Sequence, residues 1–245
     1  MRPEEAVPRL RALGFGEADA ATLADHFLDA ERRGSLGHGL SRIEWLEGLD
    51  GIDPRARPTR AVREPGYERW TSNGALGYLT LAAIVAAQLL DPPERARLVV
   101  ADAFPTGALG YWARKLADGG LVAALTATSP PRLAHPEGGP RLAGTNPLAL
   151  GVPSSDGHPL VADVSMGKVT HGDVLRGAAS EEDLVPFGGD QAHKAFALAV
   201  GLQAVVDALV GGEGYGAVLL VARPDADPVP GLRGRAAGVR LPGDR

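Results

Sequence analysis

The sequence predicts an α/β fold of mixed, α+β character on three observations. Segments with helical spacing of apolar residues alternate with short β-branched runs bounded by Gly, Pro and Asp. The first fifty residues read as helical, so a helical N-terminal part (1–60) is expected ahead of a sheet-containing part (61–245). The one Gly-x-Gly-x-Gly run, Gly212 to Gly216, follows a helix and opens a strand, the reverse of a dinucleotide-binding loop. The chain has 245 residues, of which 44% are apolar and 22% charged, enough to bury a substantial core in one large domain or two small ones. Its net charge of −5 argues against a nucleic-acid binder. It has no cysteine, and its N-terminus has no apolar targeting core, which points to a cytoplasmic address. The longest apolar run, Leu79 to Leu90, is too short to cross a bilayer, so no membrane partner is expected.

Glu17 to Arg33 predicts the first helix: Leu23, Phe27 and Leu28 with several alanines form its apolar face, and Gly34 suits the position after its end. Leu40 to Leu49 predicts a second helix. Residues 50–66 are rich in Pro and Arg and read as extended. Leu76 to Leu90 predicts a helix ended by Asp91-Pro92-Pro93, Arg97 to Ala103 a strand, Gly110 to Ala117 a helix and Leu121 to Thr126 a strand. Leu148 to Val152 and Pro159 to Val164 predict two strands about the turn at Ser154 to Gly157. His193 to Val210 predicts a long helix stopped by Gly211-Gly212, and Ala217 to Ala222 a last strand before a Pro/Gly-rich tail. Gly-Ala-Leu-Gly-Tyr occurs at 74–78 and 107–111, which reads as two glycine-permitted helix entries rather than a repeat.

The sequence contains no P-loop, no His-Glu-x-x-His and no Gly-x-Ser-x-Gly, and no metal-ligand spacing was found. Among the histidines, His26 lies in a regular amphipathic helix and reads as structural. His38 sits between glycines just before a helix, with Arg42 one helical turn on along the same face. A histidine that exchanges a proton near neutrality beside a guanidinium that pairs with a carboxylate makes a compact site for an oxo or hydroxy acid. His and Arg beside a helix start are also common without any such role. Asp163 ends an apolar strand, where a carboxylate either orients a histidine or caps a helix or turn.

Four separated stretches, in order, resemble one family. Gly144-Thr145-Asn146-Pro147-Leu148-Ala149, with Val152-Pro153 and the run from Pro159 to Gly167, resembles the central signature of the type 2 malate/L-lactate dehydrogenases. Ala30 to Arg42 is similar to that family's N-terminal His motif, Pro186-Phe187-Gly188-Gly189 with His193-Lys194 to its late helix entry, and Arg240 to Arg245 to its Pro-Gly-acidic element. The family also contains ureidoglycolate and sulfolactate dehydrogenases, diketogulonate reductase and cyclic-imine reductases.

The resemblance implies a non-Rossmann oxidoreductase that uses NAD or NADP, with the cofactor resting on a mixed sheet and with a homodimer as the usual assembly. The substrate it implies is a 2-oxo or 2-hydroxy acid or a related imine. His38 would be the acid/base, Asp163 its carboxylate partner and Arg42 the holder of the substrate carboxylate. Asn146, Ser165, Met166, Gly167, Lys194, Gly243 and Asp244 would lie at the cofactor. The chain departs from the pattern at Gly37, where the family has Ser, and at Phe104-Pro105-Thr106-Gly107, where it has a second histidine. It is also shorter between Gly172 and Pro186. These departures suit a larger, specialised substrate, or alternatively a catalytically silent homologue that serves as a binding or scaffold partner.

Overall fold

Seven strands form one sheet in the order β1-β2-β3-β7-β4-β5-β6. The strands are β1 (Thr59–Glu64), β2 (Tyr67–Thr71), β3 (Ala96–Asp102), β4 (Val122–Ala127), β5 (Leu148–Val152), β6 (Leu160–Val164) and β7 (Gly216–Ala222). Only β2 and β3 run parallel, joined by a crossover through α4 (Gly77–Leu90), and the other pairs are antiparallel. This is the mixed sheet expected, without the doubly wound parallel order. The computed structural model describes residues 1–211 and 214–244; Gly212, Glu213 and Arg245 lie outside it, and with them part of the glycine run and the final residue of the Pro-Gly-acidic stretch.

The period of two along the strands divides the sheet into two faces. Val99 and Ala101 of β3, Ala123 and Leu125 of β4 and Leu219 and Val221 of β7 join one core with α4 and α5 (Leu109–Asp118). That core continues without a break into the N-terminal helices α1 (Ala6–Ala12), α2 (Glu17–Arg32) and α3 (Ser41–Glu47) through Leu10, Phe27, Ile43 and Leu46. On the other face Val100 and Val218 pack with Val206 of α7 (Ala192–Val210), and Ala199 of the same helix packs with Leu133, Ala143 and Met166.

Each strand and long helix expected from the pattern is present to within a few residues, and both Gly-Ala-Leu-Gly-Tyr stretches open helices, α4 and α5. Three features differ. The segment read as merely extended contains β1, which turns at Pro65-Gly66 into β2; β1 is an edge strand with Arg60, Arg63 and Glu64 exposed, so it carries no apolar alternation to read. The short helices α1, α6 (His171–Leu175) and α8 (Val229–Arg235) span at most two turns and lack a periodic apolar face. Finally, Gly189–Val210 is apolar and long enough to cross a bilayer, although the longest apolar run is Leu79 to Leu90; alanines and glycines interrupted by a few polar residues accumulate hydropathy over a length that no single run shows. Here that helix lies against β7, β4 and β3.

Candidate active site

A turn of 3₁₀ helix, Leu36–His38, and the first residues of α3 place His38 and Arg42 in the wall of one cavity of about 380 Å³. Arg42 is almost fully buried, and its Nε donates to the Gly37 carbonyl oxygen (2.8 Å), which fixes the guanidinium beside the imidazole. The ring of Trp45 lies under the same guanidinium at 5.0 Å. Opposite are the loop from Phe104 to Ala108, the start of the segment after β4 with Thr128 and Ser129, and Thr145, Asp163 and Ser165 at the ends of β5 and β6. His38, Arg42 and Asp163 all line this cavity.

Burial lowers the pKa of His38 from 6.5 to about 4, and the neighbouring Arg42 charge adds to that shift while Asp173 opposes it. Its Nδ1 is sealed from solvent and has no hydrogen-bond partner among the described residues. Asp163 does not pair with His38. Its Oδ2 accepts from Gly110 N (2.7 Å) at the first turn of α5, so the carboxylate caps that helix from β6 while facing the cavity. Desolvation raises its pKa, opposed by the Gly110 N–H and by Arg114.

The cavity also gathers side chains that no motif indicated. Arg132, Thr170 and His171 line it, so a second guanidinium and a second imidazole share the space with Arg42. The Arg132 guanidinium makes no hydrogen bond among the described residues and only a long ion pair with Glu181 (3.8 Å). Burial depresses its pKa, Glu181 opposes that shift, and the Arg141 and Arg42 charges add to it. His171 is depressed by burial and then by Arg132 and Arg42. Arg132 lies in a Pro-rich loop without periodicity, so its charge alone was no signal.

Ser35, Ala108 and Asp163 also line a second, wider cleft of about 690 Å³. Its walls carry Arg32, Arg33, Arg114 and Arg240, with Gly243 and Asp244 brought alongside β6 by a hydrogen bond from Val161 N to Pro242 O (3.1 Å). Burial lowers the pKa of Arg114, and the Arg33 charge lowers it further. Asp29, Asp163 and Asp244 line the same cleft, with Arg33 and Arg114 paired to Asp29 (3.0 and 3.3 Å) and Arg240 donating to Asp244 O (2.9 Å), so its arginines are balanced by carboxylates. Of the cofactor residues expected from the sequence, Ser165, Gly243 and Asp244 face one cavity or the other. Asn146, Met166 and Gly167 line neither of these cavities. Asn146 is fully buried and donates to Ala199 O (3.0 Å) and Gln203 Oε1 (2.9 Å), while Met166 packs with Leu133 and Ala199. Gly167 donates its N–H to Ser165 Oγ (3.2 Å). Lys194 is exposed at the start of α7, also away from both.

The family model for malate/L-lactate dehydrogenase matches residues 4–190. The chain belongs to the malate/L-lactate dehydrogenase family. Among its relatives, a (2R)-3-sulfolactate dehydrogenase (NADP(+)) of Chromohalobacter salexigens is 33% identical over 69% of this chain and 52% of its own length. A Δ1-pyrroline-2-carboxylate/Δ1-piperideine-2-carboxylate reductase of Pseudomonas putida is 29% identical over 81% of this chain and 66% of its own. The chain thus spans between about half and two thirds of these curated relatives. The crystal structure of Δ1-piperideine-2-carboxylate reductase from Pseudomonas syringae superposes with a TM-score of 0.85 at 25% identity, covering 99% of this chain and 89% of that one.

Proposed function

We propose that this family member transfers a hydride between NAD or NADP and C2 of a 2-oxo or 2-hydroxy acid or a related imine, with His38 as the proton donor and acceptor. The observation that carries this reading is the enclosure of His38 and Arg42 in one cavity that shares Ser35, Ala108 and Asp163 with an arginine-lined cleft. A bound nicotinamide supplies or takes the hydride at C2. Arg42 holds the substrate carboxylate, and the His38 imidazole faces the C2 oxygen or nitrogen. At neutral pH the free imidazole is uncharged and ready to take a proton from a hydroxy acid. A substrate carboxylate on Arg42 cancels the positive charge that helps to hold His38 down, so the ring is more readily protonated when an oxo acid is bound. Arg32, Arg33, Arg114 and Arg240 would hold the cofactor phosphates.

Arg132 and His171, facing the same cavity as Arg42, favour substrates with a second anionic group. The absent side chain at residue 37 adds no space for a larger one. A Cβ there would lie 2.6 Å from Thr170 Oγ1 and 3.0 Å from Asp173 Oδ1, so the place is already filled. The test is oxidation of NADH and of NADPH by oxaloacetate, sulfopyruvate, pyruvate and Δ1-piperideine-2-carboxylate. The expected result is turnover with the two dianions ahead of the others. A folded protein that binds the cofactor yet turns over none of them would refute the reading and restore the silent-homologue alternative.

We also propose a homodimer. Leu150 and Leu220 on the sheet, with Leu198 and Val205 on α7, are exposed apolar side chains of the less covered face. Sedimentation at micromolar concentration giving only the single-chain mass would exclude it.

A further inference from the structure

We propose that Glu181 is a resident counter-ion for Arg132 and His171, and that it limits how strongly the cavity prefers substrates with a second anionic group. The proposal rests on the reading of this cavity as the site of a 2-oxo acid held on Arg42. Glu181 is not part of the cavity wall, so it would tune selectivity from behind the residues that are.

Three basic groups converge on this one carboxylate. Oε1 of Glu181 lies 3.8 Å from Arg132 Nη1 and 3.8 Å from His171 Nε2, and Oε2 lies 3.6 Å from Arg141 Nη1. Arg132 and His171 line the cavity, whereas Arg141 does not. The two arginines come from the two arms of one hairpin, closed by the bridge between Leu133 and Ala143. His171 is the first residue of α6.

The turn that carries Glu181 is fixed independently of these contacts. Asp183 Oδ2 accepts from Ser180 N (3.1 Å) and Ser180 Oγ (3.0 Å), and Lys168 Nζ donates to Asp183 Oδ1 (3.1 Å). Lys168 N also donates to Val185 O (2.8 Å), which ties the turn to the segment after β6. The Glu181 side chain is half exposed, and all three of its basic neighbours lie beyond hydrogen-bond length. Such contacts are weak individually and open to exchange with another anion.

Near neutral pH the positive charge of this group resides on the arginines. Burial lowers the pKa of His171, Arg132 and Arg42 lower it further and Glu181 opposes them, so the ring serves as an uncharged N–H donor. An anion in the cavity therefore meets the attraction of Arg42, Arg132 and Arg141 less the repulsion of Glu181. A monoanion such as pyruvate places its carboxylate on Arg42 and leaves the Arg132 side empty. The second anionic group of a dianion must share Arg132 and His171 with Glu181. Glu181 thus penalises the dianion more than the monoanion.

The alternative is that Glu181 braces Arg132 in its binding posture, in which case removing it weakens the binding of dianions. Malonate and acetate separate the two, since they match the substrate charges and have no ketone to reduce. Each is titrated into the full chain with labelled histidines, and the His171 ring signal is followed by nitrogen NMR. We expect Glu181→Gln to bind malonate about 3- to 10-fold more tightly than the wild type, the range for one partly solvated charge, and acetate within about 2-fold. KM for oxaloacetate should fall by the same factor, with KM for pyruvate unchanged. Glu182→Gln removes the neighbouring charge from the same turn and should leave malonate affinity at the wild-type value. Malonate binding that is unchanged or weaker in Glu181→Gln, an equal gain for acetate, or an equal gain in Glu182→Gln would overturn the proposal. So would a His171 signal that does not respond to malonate. If Glu181→Gln does not fold, Glu181→Ala is read in the same way. Failure of every 2-oxo acid to turn over would instead defeat the functional reading, and the malonate titration would still decide this one.

Discussion

His26 and His38 lie one after the other along the N-terminal region, both are enclosed, and both have a buried Nδ1 without a partner among the described residues. Burial depresses both, His26 well below the ordinary 6.5 and His38 to about 4. Their surroundings differ in kind. His26 is fully buried among aromatic rings, stacked on Trp112 (5.2 Å between centroids) with the edges of Tyr78 and Tyr111 at 5.0 and 4.6 Å. Its Nε2 accepts from Ala108 N (3.1 Å), and Gly107, with φ +72, passes so close to the ring that no side chain fits there. His26 thus pins the loop that roofs the cavity and has no route to a substrate. His38 faces the cavity itself, beside the Arg42 guanidinium. A depressed pKa marks both residues; position relative to the cavity separates support from chemistry.

The largest effect expected is on turnover. His38→Ala should lower kcat by roughly 10²–10⁴-fold, the contribution of a lost general acid, with cofactor affinity and melting temperature near wild type. Steady-state kinetics beside cofactor titration check it. His26→Ala should do the converse: a loss of about 3 kcal/mol of stability, seen in denaturant unfolding, from the void left in an aromatic core. Its pH–rate profile should keep the wild-type form, since His26 exchanges no proton with substrate.

The same contrast shows what the sequence made legible. His38 and Arg42 were readable because their spacing on one helical face is itself a chemical pattern, and the resemblance then supplied roles. Asp163 was readable as a carboxylate in an unusual place, with pairing and capping left open; the bond to Gly110 N places it as a cap that faces the cavity. Arg132, Thr170 and His171 were not readable, because they reach the cavity from a Pro-rich loop and from the start of the short helix α6, brought there only by tertiary packing. Gly37 illustrates the limit best. A missing side chain suggested spare room, yet the space belongs to Thr170, which lies far along the chain. Edge strand β1 escaped for a related reason: with little of it buried, it has no pattern to show.

Two smaller effects sharpen the comparison. Arg132→Ala should raise KM for oxaloacetate by about 10-fold, as expected for a lost charge-assisted contact, and leave KM for pyruvate within about 2-fold. Equal effects on both would remove Arg132 from substrate recognition. Acid should also weaken the fold through both histidines. For His38 the folded pKa of about 4 lies below the ordinary 6.5, so between these values the unfolded chain binds the proton that the folded one refuses. The stability is fully present above pH 6.5 and is lost as pH falls toward 4, by on the order of 3 kcal/mol for His38. His26 acts in the same direction. Melting temperature should therefore drop between pH 7 and 5, and His38→Gln should flatten that drop in part.

The most direct test of His38 as the acid/base is a single-turnover measurement of oxaloacetate reduction by the wild type and by His38→Ala, each saturated with NADH or NADPH. The account predicts a rate lower by at least about 100-fold in His38→Ala, with the cofactor still bound and the fold intact. A His38→Ala protein that reduces the substrate at the wild-type rate would contradict it.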